Sequence, residues 1–198
     1  MIVNTDILSA KEQRAIFQQQ LIKKYHKTLI VVRANYPGLI KFNAFSFYTV
    51  VLFKQIVCNQ WSLIHDEILY SDEGAIAYCI CDEDAIIVKK QCILWENTHP
   101  LGRLIDLDVI SLDGLIDRRT LKVSPRKCFL CSQVAHGCVR SQNHSIFDLQ
   151  DYFVNQVSQF VKKSYAEAFR FALLAEVACY PKFGLVTPFT SGIHKDMD

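Results

Sequence analysis

Asp106 and Asp108 stand one residue apart in the segment His99-Pro-Leu-Gly-Arg-Leu-Ile-Asp-Leu-Asp-Val-Ile110. In a strand, alternate side chains share a face, so the two carboxylates project together while Ile105, Leu107 and Val109 turn to a core. Acids about 7 Å apart on one pleated face repel each other and add little stability. A divalent cation between them reverses that. Mg²⁺ favours one or two carboxylates together with phosphate oxygens and water, which suits a triphosphate. Upstream, Gly102 permits close backbone approach and Arg103 can fork onto phosphate. Lys41, beyond the Pro37-Gly38 turn, is a second phosphate-binding candidate. Glu96, read as the end of a strand leading into the loop, is a candidate third metal carboxylate. His99 could touch substrate or fix the loop. The plainer readings are a solvated strand edge for the pair, an exposed acid at Glu96 and a surface lysine at Lys41.

A second cluster has the spacing C-x2-C-x6-C-x5-H through Cys128, Cys131, Cys138 and His144. Four soft or borderline ligands in one loop fit a tetrahedral structural Zn²⁺. His136 competes for the fourth place, although its two-residue spacing from Cys138 is tight. Arg126, Lys127 and Arg140 would favour the thiolates that zinc needs. The alternative is a loop of reduced cysteines packed under the last helices. Cys58, Cys79, Cys81, Cys92 and Cys179 lie among apolar neighbours and read as small buried residues.

The elements that must position these groups follow from periodicity. Ser9 with Glu12 forms a capping box, and Phe17, Leu21 and Tyr25 recur at helical spacing, which predicts a helix over 9–25. Thr28 to Ala34 is rich in β-branched residues and reads as a buried strand ending at the turn Asn35-Tyr-Pro-Gly38. Residues 43–59 predict a well-covered helix. Strands are expected at Ser62 to Tyr70 and Ala75 to Cys81, around the acidic turn Ser71-Asp-Glu-Gly74. A helical turn from Asp82, a strand near Gln91 to Glu96 and a strand at Leu104 to Ser111 complete the expected sheet. Residues 120–145 show little periodicity. Ser145 opens a helix whose buried stripe is Ile146, Leu149, Phe153, Val157 and Phe160, and a further helix runs to about Ala178. The class is α+β, a mixed sheet flanked by helices with a helical C-terminal extension. Asp-x-Asp on a strand after a glycine turn resembles the nucleotidyltransferase arrangement.

Composition narrows the function classes. The 198 residues are 51% apolar, enough for a core, and 22 Lys and Arg against 20 Asp and Glu leave a net charge of +2. A broad basic footprint for nucleic acid is not expected. No apolar run has the length of a membrane span, and the N-terminus lacks a signal-peptide layout. A soluble, cytoplasmic protein is expected, with its eight cysteines reduced.

The string from His99 to Val109 also resembles the signature of the CitX family, the apo-citrate lyase phosphoribosyl-dephospho-CoA transferases. Asn35-Tyr-Pro-Gly-Leu-Ile-Lys41 resembles that family's Pro-Gly-Pro-x-Lys turn, with Leu39 in place of the second proline. Arg126-Lys-Cys-Phe-Leu-Cys131, followed by Cys138-Val-Arg140 and His144, resembles its cysteine segment, and the first helix (Glu12, Gln13, Arg14, Gln18 to Gln20) is similar too. The resemblance covers about residues 6–163. It implies an enzyme that moves the phosphoribosyl-dephospho-CoA unit of 2'-(5''-triphosphoribosyl)-3'-dephospho-CoA onto a serine of the citrate lyase acyl carrier protein, its gamma subunit, with release of pyrophosphate. Asp106 and Asp108 would hold Mg²⁺ against the triphosphate and Arg103 would steady the leaving pyrophosphate. The alternative from another class is a non-catalytic, zinc-stabilised binding or assembly module for citrate lyase.

Beyond Ser164 the pattern changes. Ala172-Leu-Leu-Ala-Glu-Val-Ala-Cys-Tyr-Pro-Lys-Phe-Gly-Leu-Val186 and Ser191-Gly-Ile-His-Lys-Asp-Met197 resemble the opening of the CitG family of triphosphoribosyl-dephospho-CoA synthases, with Phe183 and Thr187 as departures from its motif. The expected organisation is therefore a CitX-like domain over 1–163 and the first part of a CitG-like region over 164–198, as in a CitX–CitG fusion.

Overall fold

The computed structural model describes residues 4–164. The element order is α1 (Asn4–Tyr25), β1 (Thr28–Ala34), α2 (Ala44–Gln60), β2 (Leu63–Ser71), β3 (Gly74–Cys81), α3 (Ala85–Thr98), a 3-10 turn (Gly102–Leu104), β4 (Ile105–Ser111), β5 (Gly114–Ile116), α4 (Ala135–Ser141) and α5 (Ile146–Ser164). The five strands form one sheet in the order β2-β3-β1-β4-β5. Every ladder is antiparallel, so the expected mixed sheet is corrected. The reason lies in how the crossovers interleave. β1-α2-β2 and β3-α3-β4 each join strands that run the same way, but β3 slots between the first pair and β1 between the second. This is the split β-α-β arrangement.

The two faces of the sheet differ. Ile30 and Val32 of β1, with Ile105, Leu107 and Val109 of β4, meet α2, α3 and α5 in the larger core, around the fully buried Phe53 and Phe153. The opposite face carries Leu29, Val31, Ile76, Tyr78 and Ile80, covered by Leu21 and Ile22 of α1. Phe17 sets its ring edge-on to Tyr78 at 4.9 Å. Alternation in β1 and β4 places the apolar residues as expected, and the antiparallel pairing of Arg33 with Asp106 and of Val31 with Asp108 fixes the register.

Three local expectations fail for physical reasons. Asp84 accepts from the amides of Ile86 and Ile87 and so caps α3. Ala85, Val88, Cys92 and Glu96 then fall on one buried stripe, so the stretch read as a turn plus a strand is a single helix. Its Cys92-Ile93-Leu94-Trp95 run imitates a strand, but the capped start and the buried stripe favour the helix. Ser9 is not the first cap of α1, which starts earlier, at Asn4; Ser9 instead accepts from Gln13 one turn on. Within 120–145, α4 forms, and Lys127 bridges to Val134. The helix expected to Ala178, Cys179 and the CitG-like stretch lie outside the described residues.

Candidate active site and metal centre

Asp106 and Asp108 do share one face of β4, the α1 side, each with about a third of its side-chain surface exposed. They are ringed by cations. Arg33 Nη2 donates to Asp108 Oδ2 at 2.9 Å and lies 3.9 Å from Asp106 Oδ2. Arg126 Nη1 pairs with Asp106 Oδ1, while its Nη2 donates to the carbonyls of Gly102 and Arg103, both at 3.0 Å. Glu73, at the tip of the β2–β3 hairpin, folds back to bind Arg14 of α1 at 2.6 Å and lies 3.9 Å from Arg33. Gly74 makes that tip possible: its φ is +89°, and a Cβ there would sit 3.1 Å from the Lys41 carbonyl oxygen. Carboxylates and guanidinia therefore alternate across the face.

The electrostatics follow from this arrangement. Desolvation would lower Arg33, but Asp108, Asp106 and Glu73 together hold its guanidinium above the ordinary value. Desolvation raises the Asp106 carboxyl against the pull of Arg126 and Arg33; with 32% of its side chain exposed and two guanidinium partners, the ionised form is the one these contacts require. Burial lowers the Lys41 ammonium, with Lys11 and Arg33 adding to the shift and Asp106 and Glu73 opposing it. Arg33 Nε is buried without a hydrogen-bond partner. A buried donor left without a partner in a face of charged groups is a place for an anionic oxygen.

The other predicted site residues have other duties. Gly102 is close-packed, because a Cβ would lie 2.3 Å from the Trp95 carbonyl oxygen and 2.7 Å from that of Glu96. Its close approach is thus to the end of α3. Arg103 donates to the Cys128 carbonyl at 3.0 Å. His99 accepts the Leu101 amide at Nδ1, 3.1 Å, and packs its ring against Phe53 and Phe160, on the sheet face away from the carboxylate pair. Lys41 donates to the Tyr36 carbonyl at 2.6 Å, holding its own loop. Glu96 is the largest departure. It sits on helix α3, only 4% exposed, accepting from the Leu107 amide at 3.0 Å and from Arg118. Both of its oxygens are taken, so the strand-end acid expected as a third ligand instead braces the backbone between the two aspartates.

Sequence reading missed Arg33 and Glu73 and gave Arg126 a different task. The signal for Arg33 was available in the alternation Leu29, Val31, Arg33, which puts it on one face of β1. Only the register set it opposite Asp106.

The cysteine cluster closes as its spacing suggested. One ligand atom from each of Cys128, Cys131, Cys138 and His144 lies within 4.8 Å of the others. Cys131 Sγ is 3.4 Å from Cys138 Sγ and 3.3 Å from His144 Nε2. A tetrahedron with Zn–S bonds of about 2.3 Å has edges near ~3.7 Å, so this set could hold a metal ion with small adjustment. Against desolvation, the amides of Leu130 and Cys131 lower the Cys128 thiol, which favours the ligating thiolate. His136 is outside the cluster.

Residues 2–160 match the CitX family, described as apo-citrate lyase phosphoribosyl-dephospho-CoA transferase. The chain belongs to the CitX family. Among curated CitX relatives, a probable apo-citrate lyase phosphoribosyl-dephospho-CoA transferase of Vibrio cholerae is 34% identical over 148 residues, covering 71% of this chain and 83% of its own length. Along almost the whole chain there is similarity to proteins named CitXG. The Haemophilus influenzae protein is 33% identical over 97% of this chain, and the Leuconostoc mesenteroides subsp. cremoris protein 31% over 96%. The chain spans 43% and 44% of those two proteins, less than half their length. No helix among the described residues is long and apolar enough to cross a membrane.

Proposed function

We propose that this CitX member transfers the phosphoribosyl-dephospho-CoA unit from 2'-(5''-triphosphoribosyl)-3'-dephospho-CoA to a serine of the citrate lyase acyl carrier protein, in the cytoplasm, by nucleotidyltransferase-type chemistry. The observation that carries this reading is the paired Asp106 and Asp108 on one open face, interlocked with Arg33 and Arg126. Two hard carboxylates fit Mg²⁺ by donor type, and the guanidinia beside them fit phosphate. When bound there, Mg²⁺ would offset negative charge on the donor's phosphates.

The chain's own groups do the rest. Asp106 and Asp108 would hold the cation. Arg33 and Arg126, already at the pair, are placed to turn from the carboxylates to the polyphosphate and steady the departing pyrophosphate, a task the sequence had given to Arg103. The serine oxygen attacks the phosphorus of the transferred unit, the bond to pyrophosphate breaks, and the serine proton passes to a carboxylate of the pair. Glu96 and Lys89 grip the Leu107 backbone and so keep both aspartates on one face.

A binding module without catalysis gives no reason to concentrate two acids and two arginines on an open face, so the transferase reading is preferred. Its test is incubation with apo-carrier, donor and Mg²⁺, followed by mass spectrometry of the carrier. The expected result is a gain equal to one phosphoribosyl-dephospho-CoA unit; no gain with active partners rejects the reading. We assign zinc to Cys128, Cys131, Cys138 and His144 in a structural role. One equivalent of zinc in reduced, purified protein is expected by elemental analysis, and its removal by chelator should lower the melting temperature. Residues 164–198 are taken as the opening of a CitG-like region, in keeping with the CitXG similarity.

A further inference from the structure

A cavity of about 710 Å³ lies between the 35–41 loop and the segment from Cys128 to Leu149. It falls within the volume range of small-molecule sites. Tyr36 and Phe129 supply aromatic wall, Val139 and Leu149 aliphatic wall, and Lys41 the charged group. Cys138 and His144 line it as well, so the Cys/His cluster forms one side of the chamber. Two covalent connections tie it to the carboxylate face. Asn35 of its lining lies two residues after Arg33, and Cys128 two residues after Arg126. Lys41 itself feels the charge of Asp106.

We propose that this cavity takes the dephospho-CoA arm of the donor, with base and pantetheine against the apolar walls and a phosphate at Lys41. The assignment rests on the transferase reading. An elongated molecule with an aromatic base, a diphosphate and a long thin chain matches a concave, largely apolar chamber holding one cation. A folded carrier domain offers a convex surface that cannot fill it. The donor's triphosphate end would then extend toward Asp106 and Asp108, and the carrier serine would approach from the open side of the sheet. In this arrangement the metal cluster supports a substrate wall and takes no part in the chemistry.

The test places bulk in the chamber. Ala135→Trp fills it from the start of α4, and Val139→Trp does so from a position 72% exposed, where the added ring does not disturb the core. Dephospho-CoA binding is measured by calorimetry on the full chain, and donor KM and kcat are measured with the carrier. Each folded variant should weaken binding and raise KM by about tenfold or more, with kcat within about threefold of the parent. If the parent loads carrier while a folded, zinc-replete variant keeps parental affinity and KM, the cavity assignment is overturned and the transferase reading stands. If the parent neither binds dephospho-CoA nor loads carrier, both fall.

Discussion

The buried ammonium of Lys89 donates to the carbonyl of Leu107 at 2.7 Å, gripping the residue that separates Asp106 from Asp108. Glu96 lies two helical turns further along the same face of α3 and accepts from the amide of that same leucine at 3.0 Å. β5 pairs only with Val109 to Ser111, so two side chains stand in for a missing strand beside Leu107. Lys89→Met should cost about 1–3 kcal/mol, because a buried carbonyl loses its partner. Glu96→Ala should cost more, about 3–5 kcal/mol, since it strands both the Leu107 amide and Arg118. Urea unfolding checks both, and parental stability in either variant would contradict the bracing role.

Asp106→Asn and Asp108→Asn should each leave the fold intact and reduce carrier loading by at least about 100-fold. The measurement is the rate of mass gain on the carrier, alongside a circular dichroism spectrum matching the parent. A near-parental rate in either variant would remove the metal role from that residue.

Arg126 joins three parts of the molecule: the Asp106 carboxylate, the Gly102 and Arg103 carbonyls, and the segment leading to Cys128. Arg126→Lys keeps the charge but loses the planar fork that serves all of them. Hydrogen exchange should accelerate at Gly102 to Leu104 and around Ala135, whose amide donates to the Arg126 carbonyl. Transfer should slow by roughly tenfold or more. Unchanged exchange would show that the loop is held by other contacts.

His99 gives a pH dependence of defined sign. Burial lowers its pKa, and its Nδ1 accepts the Leu101 amide, so the folded protein favours the neutral ring. The unfolded chain takes up a proton near its ordinary value of about 6.5. This contribution is complete above that pH and is lost as pH falls toward the lower folded value. The melting temperature should therefore drop as pH falls below about 6.5, and His99→Gln should flatten that slope. An equal slope in the variant would assign the acid sensitivity elsewhere.

Much of the fold was legible because its signals are local. The β-branched run at 28–34, the acidic hairpin turn before Gly74 and the alternation through Asp106 and Asp108 each specify their element without help from distant residues. The α3 region was misread because the Cys92-Ile93-Leu94-Trp95 run favours a strand intrinsically, while the deciding contacts, the Asp84 cap and the sheet beneath Val88 and Cys92, are matters of cap geometry and tertiary packing. The cysteine spacing was enough to bring four ligands together, since all lie within 17 consecutive residues. The cationic ring around the aspartates was not readable. Arg33, Glu73 and Arg126 come from three distant segments: the strand register sets Arg33 opposite Asp106, while Arg126 arrives from a loop and Glu73 from a hairpin tip, by tertiary packing.

The central position of β1 sets an order of assembly. β1 leaves the ribosome first among the strands, yet its two neighbours, β3 and β4, are both made later. Leu29 to Val32, fully buried at the end, must wait in a growing chain without either flank. Arg33 cannot meet Asp106 until Ile105–Ser111 has been synthesised and has annealed to β1. The carboxylate face is thus a late product of folding that comes into being with closure of the sheet, and a nascent chain halted before that point would hold three helices and three strands but no centre for chemistry.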